Sequence, residues 1–193
     1  MCPPIHSNFT DDDNCWAVVE KIAETYDAGG PWATMPRLVE IAKKNPRNAY
    51  VHYYIGRCLL DIGKFDAASN HFRTALKLAP TYYAARLRAS EACRLAEEFD
   101  EAIKHADIAL QQCPNDCDAR LALGLAYRAC GKHNESVRHI RAALDGSPCI
   151  ETLVIAQSLL KKLVDHSDEP DEHYANDSGF SCIDDSGSEP CSP

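Results

Sequence analysis

The most reactive side chains in this 193-residue chain are its ten cysteines and eight histidines. A zinc site needs four such ligands converging on one ion, which sequence shows as close Cys or His pairs near one another. No Cys-x-x-Cys occurs, and the shortest separation, Cys113 to Cys117 across Pro114, has no histidine beside it. His52, His71, His105, His133 and His139 fall in different segments, and the last two, six residues apart, do not share a helix face. There is no glycine-rich phosphate loop, no His-x-x-x-His pair beside a glutamate and no Ser-His-Asp set. The chain is therefore read as no enzyme, with no cofactor and no metal. Cys58, Cys93 and Cys130 lie in stretches of helical pattern, and the cysteines are read as reduced packing residues.

The elements that would have to position any site follow from a repeat. Pro46, Pro80, Pro114 and Pro148 recur every 34 residues. The same step relates small residues at Gly56, Ser90 and Gly124, at Ala68, Ala102 and Ser136, and at Ala75, Ala109 and Ala143. Antiparallel helices need small side chains where their axes come closest, so Gly56 is expected to face Ala68. Ile55, Leu59, Phe65, Phe72 and Leu76 then fill the space between helix pairs. Gly63 permits the turn within a pair, and Pro80 ends the second helix because it cannot occupy a helix interior. The fold class is all-α, a solenoid of antiparallel helix pairs each burying its face on the next.

Ile55-Gly56, Leu59, Ala68, Phe72, Ala75 and Pro80 resemble the tetratricopeptide repeat pattern, as do Leu123-Gly124, Tyr127, Gly131, Ser136, Ala143 and Pro148. The middle unit departs, with Ser90 for Gly, Cys93 for the aromatic residue and Ala106 for Phe. The pattern's leading Trp is absent throughout, replaced by His52, Arg86 and Arg120. The resemblance implies three units at 49–82, 83–116 and 117–150. A degenerate helix pair is expected at 11–48, with its turn at Gly29 and its second helix starting near Thr34. A capping helix is expected at 151–164, burying Leu153, Ala156, Leu160 and Leu163 and showing Lys161 and Lys162 to solvent.

The resemblance also implies a binding surface, since the first helix of each pair lines the concave side of such arrays. Carried over residue by residue, the groove holds Tyr50, Tyr53 and Arg57 from the first unit. The second unit adds Leu87, Arg88, Glu91 and Arg94, and the third Leu121, Leu125 and Arg128. Tyrosine and leucine offer apolar anchors, and arginine grips a carboxylate through two parallel hydrogen bonds. The expected partner is another protein, presenting an extended or helical segment with apolar and acidic residues. The positions that clamp chaperone C-termini in some family members hold Tyr53, Arg57, Arg88, Asp118 and Ala122 here. They include no Asn, and an acid stands where a base is needed, so no conventional clamp is expected.

Charge is segregated along the chain. Residues 165–193 contain nine acids and no Lys or Arg, which leaves twenty acids against twenty bases in the rest. A neutral body does not suit phosphate binding, so no nucleic-acid partner is expected. The acidic stretch and residues 1–10 are too poor in apolar residues to order themselves, and the former has the charge to contact the groove arginines intramolecularly. No apolar run is long enough for membrane insertion, and no basic segment precedes an apolar one at the N-terminus. The reading is a cytoplasmic interaction module, an adaptor or co-chaperone. The alternatives are a dedicated chaperone for one secreted or assembling client and a structural subunit docking through its convex face.

Overall fold

The computed structural model describes residues 13–146 and 148–165, with side chains from Lys21 to Leu163. Expectations for residues 1–10 and for the acidic stretch beyond Asp165 lie outside the described residues. Eight helices follow one another there: α1 (Asp13–Lys44), α2 (Ala49–Asp61), α3 (Phe65–Leu78), α4 (Tyr83–Leu95), α5 (Phe99–Gln112), α6 (Cys117–Ala129), α7 (His133–Asp145) and α8 (Ile150–Asp165). The described chain is all-helical, and the first helices of successive pairs begin at Ala49, Tyr83 and Cys117, one sequence period apart.

The element α1 is two helical segments separated by Gly30, whose φ of 67° and ψ of −165° suit only glycine. Ile22 and Leu38 both belong to one core cluster with Val51, Ile55 and Cys58 of α2. In a straight helix they would stand about 24 Å apart, so the break at Gly30 folds the segments onto one neighbour. The turn therefore falls at Gly30 and not Gly29, and the second segment starts at Pro31 and not near Thr34. Pro31 suits a first helical position because its φ is preset and its missing N–H would have had no partner there. Thr34 caps nothing: it is fully buried and its hydroxyl donates to the Gly30 carbonyl at 2.8 Å.

Asn48 and Asp116 cap α2 and α6 through side-chain oxygens that accept from Tyr50 and Val51 N–H, and from Asp118 and Ala119 N–H. At the equivalent step Tyr82 caps nothing through its side chain and instead enters the core. The turns inside the pairs place Gly63, Glu97 and Gly131 at φ of 76°, 61° and 76°. An L side chain in this left-handed region is strained by roughly 1 kcal/mol, and Glu97 is exposed. Glu97→Gly is therefore expected to raise stability by about 0.5–1 kcal/mol. Chemical denaturation should show a higher midpoint with an unchanged slope.

The small residues of the first helices meet large ones of the second. A Cβ on Gly56 would stand 2.7 Å from the ring of Phe72, and one on Gly124 would stand 2.8 Å from Ile140. The closest approach at Gly56 is thus to the ring of Phe72. First helices of neighbouring units touch one another, α2 with α4, α4 with α6 and α6 with α8, whereas the second helices α3, α5 and α7 do not. The array therefore curves toward α2, α4 and α6. At its end α8 buries Thr152, Ala156 and Leu159, with Leu160 and Leu163 packed on the same cluster. It caps the last pair and shows Lys161 and Lys162 outward as expected, but the same outward face also exposes Ile150, Val154 and Ile155.

Cys58 and Cys93 are buried free thiols, and burial first of all pushes them up to about 11 and about 12, which keeps them unreactive. Cys130 lies just past the end of α6 and is half-buried. Cys113 departs from the reduced reading, being disulfide-bonded.

Candidate functional site

The concave face begins with tyrosines. Tyr50 and Tyr53 on α2 meet Tyr82 with ring centroids 5.1 and 5.0 Å apart, and Tyr53 also packs on Tyr54 and Phe72. Tyr50 and Tyr53 are only 7% and 8% exposed, so they join α2 to α4 and offer little surface to a ligand. Leu121 is buried too, under α8. The remaining residues expected to line the groove are reachable. Arg57, Leu87, Glu91, Arg94 and Leu125 are half-buried, and Arg88 and Arg128 are exposed.

The four arginines differ in how they are held. The Arg57 guanidinium lies 4.2 Å from the centre of the Tyr26 ring, with Tyr54 at 5.5 Å and Tyr53 at 5.9 Å. Three π faces hold this cation in place, and its N–H groups have no acid among the described residues. The Tyr26 hydroxyl donates to the Asp61 carboxylate, and burial followed by that bond pushes the phenol up to about 12. Arg88 pairs with Glu91 at 2.7 Å. Arg94 and Arg128, one period apart on α4 and α6, have no ion-pair partner among the described residues. Tyr26 and Tyr54 were missed in the sequence. The first sits in the degenerate pair, where the repeat register gives no column, and the second is adjacent to a residue the pattern selects.

A second set of residues was missed although the 34-residue step marks it. His52, Arg86 and Arg120, which stand where the family pattern has Trp, each donate to the carbonyl of a junction proline. His52 Nε2 reaches Pro46 at 2.9 Å, Arg86 reaches Pro80 at 2.5 Å and Arg120 reaches Pro114 at 2.7 Å. Beside each stands a histidine of the second helix, again one period apart: His71, His105 and His139. His52 and His71 touch through Nδ1 atoms 3.2 Å apart. His52 gives its Nε2–H to Pro46, so its Nδ1 accepts and His71 donates. Among the described residues neither ring nitrogen of His105 has a hydrogen-bond partner, and the same holds for Arg86 Nε. Burial lowers all three histidines; His52 lowers His71 further, and Arg86 helps bring His105 to about 4.

These features define a class of protein. Residues 59–116 match the model of the tetratricopeptide repeat family. The solved structures that resemble the chain include MamA residues 41 to the end from Desulfovibrio magneticus RS-1. It is 21% identical, covers 82% of this chain and 93% of its own, and has a TM-score of 0.64. A thermophilic TPR protein of Thermus thermophilus is 19% identical over 80% of this chain and 83% of its own, with a TM-score of 0.65. Yeast Tom70 is 16% identical with a TM-score of 0.66, over 81% of this chain but 34% of its own. The comparison with curated proteins gives no match. Residues 59–116 are thus tetratricopeptide repeat sequence, and the helices around them form the tetratricopeptide solenoid. No described helix is long and apolar enough to cross a membrane.

Proposed function

We propose that this protein is a non-catalytic interaction module, an adaptor or co-chaperone, that holds a peptide segment of a partner along the inner face of α2, α4 and α6. The observation that carries this reading is the state of the arginines. Among the described residues Arg94 and Arg128 have no acid, and Arg57 is held in place by tyrosine faces with no carboxylate on it. A guanidinium that is positioned but unpaired is ready to receive a carboxylate, and such charge-assisted pairs are strong and directional. Leu87 and Leu125, half-exposed between the arginines, supply apolar contacts. The partner segment accordingly carries carboxylates interleaved with apolar residues. The acidic stretch after α8 has carboxylates of its own and is proposed to compete for the same arginines.

The test is capture of partners from the native host by the intact chain and by Arg94→Glu/Arg128→Glu, compared quantitatively by mass spectrometry. Both residues are accessible, so the variant should fold normally by circular dichroism. A partner of the groove should be retained at least tenfold less, because each lost charged hydrogen bond contributes about 1.5–3 kcal/mol. Equal retention of every partner by the double variant would move binding to the convex face, as a docking subunit requires. A single co-purifying client would instead favour a dedicated chaperone.

A further inference from the structure

Six large hydrophobic residues are exposed among the described ones, and three of them, Ile150, Val154 and Ile155, lie on α8. Two more, Trp32 and Val39, are on α1, so apolar exposure gathers at the ends of the array and not along it. The reason at the C-terminal end is positional. α8 contacts α6 and α7 as a first helix of a further unit would. Val154 lies one period after Arg120, and Ser158 one period after Gly124, at positions where a second helix packs on the first. No described second helix follows α8, so this face has no partner among the described residues.

We infer that the outer face of α8 is a two-fold interface that pairs antiparallel with the same helix of a second copy. The exposed stripe consists of Ile150, Glu151, Val154, Ile155, Gln157, Ser158, Lys161 and Lys162. Its apolar residues and its acid occupy the N-terminal half, and its two lysines the C-terminal half. A two-fold axis passing near Ala156 brings residue 151 opposite 161 and residue 154 opposite 158. Glu151 of each copy then meets Lys161 of the other, giving two equivalent ion pairs around a centre where Val154 and Ile155 of each copy pack beside Ser158 and Gln157 of the other. The lysine stems at the C-terminal end cover Ile150 of the partner while their ammonium groups stay in water. The small Ser158 opposite Val154 lets the helix axes approach closely. A parallel arrangement would set acid on acid and lysine on lysine, so the charge order of the stripe selects the antiparallel one.

The strip is about 20 Å long and about 10 Å wide, well below the roughly 800 Å² per partner of a standard stable interface. The dimer is therefore weak, with a dissociation constant expected in the micromolar range or above, and it leaves the concave face free. It does not depend on the groove reading.

Sedimentation equilibrium of the full chain from about 1 to about 300 μM tests the pairing. The expected result is a reversible monomer–dimer equilibrium. Val154→Glu should abolish the dimer, and Glu151→Lys should weaken it about tenfold. The double exchange Glu151→Lys/Lys161→Glu should restore it to within a factor of about three, because opposite charges meet again; these factors follow from the usual energies of exposed pairs. All the altered side chains are exposed, and circular dichroism should show each variant as helical as the parent. Three results would overturn the inference. One is a chain monomeric at every concentration, which would assign the face to another occupant, the acidic segment 166–193 first. The second is a dimer that Val154→Glu leaves intact. The third is a failure of the charge exchange to restore what Glu151→Lys loses.

Discussion

Lowering the pH from 7 to 5 is expected to destabilise the array by about 2 kcal/mol through His105 alone, with further loss through His71 and His139. In the folded protein His105 is buried beside Arg86, neither ring nitrogen has a partner among the described residues, and its pKa falls to about 4. The unfolded chain takes up this proton near the ordinary value of about 6.5. Between those two values the unfolded state binds more protons than the folded one, so stability falls as pH falls through the window. Below about 4 this residue contributes no further loss. Arg73 and Lys104 add to the effect, and Glu101 opposes it. His71 moves the same way because of burial and His52, and His139 because of burial, Arg138 and Arg120 against Asp107 and Glu135. Urea denaturation at pH 7 and pH 5 gives the measurement. His105→Leu removes the titration without stranding a partner, so this variant should lose about 2 kcal/mol less than the parent over the same interval. An identical loss in both would show that His105 is not the group responsible.

The solenoid was legible because a helix pair of fixed length writes a fixed period. Pro46, Pro80, Pro114 and Pro148 mark the junctions, and the glycines at 63 and 131 mark turns whose φ excludes most residues. The degenerate first pair was read less well. Two prolines and two adjacent glycines leave several places for a turn, and only the backbone shows that Gly30 takes the strained conformation while Pro31 opens the next segment. The groove was legible as a set of positions but not as a surface. Tyr50 and Tyr53 stand where a ligand could be met, yet Tyr82 at an adjacent cap position closes over them. A pattern assigns a residue to a helix face. It does not say whether a large neighbour one unit along covers that face. The histidine and cation columns are hidden for a different reason: a single histidine shows no catalytic or metal-binding company in sequence, and only the 34-residue step joins His71, His105 and His139, or His52, Arg86 and Arg120, into a column.

Within the middle unit, two departures from the repeat pattern are one physical change. Gly56 lies against Phe72 and Gly124 against Ile140, whereas the corresponding residues of the middle unit are Ser90 and Ala106. Where the second helix presents a small residue, the first can carry a larger one, and Ser90 uses the space to donate to the Ala102 carbonyl at 2.8 Å. This complementarity predicts strong coupling in the first unit. Phe72→Ala removes a fully buried ring and should destabilise by about 3–5 kcal/mol. Gly56→Ser forces a side chain to within 2.7 Å of that ring and should cost about 1–3 kcal/mol by overpacking. Together they recreate the Ser–Ala pair of the middle unit. The added hydroxymethyl group enters the space left by the ring, and its oxygen comes within reach of the Ala68 carbonyl, one period before Ala102. The double variant should therefore be more stable than the sum of the single losses by at least about 1 kcal/mol, in the range seen for residues in direct contact. Chemical denaturation of the four proteins measures the cycle. Additive losses would mean that the two positions do not share a space, and the explanation of the middle unit's composition would fail with them.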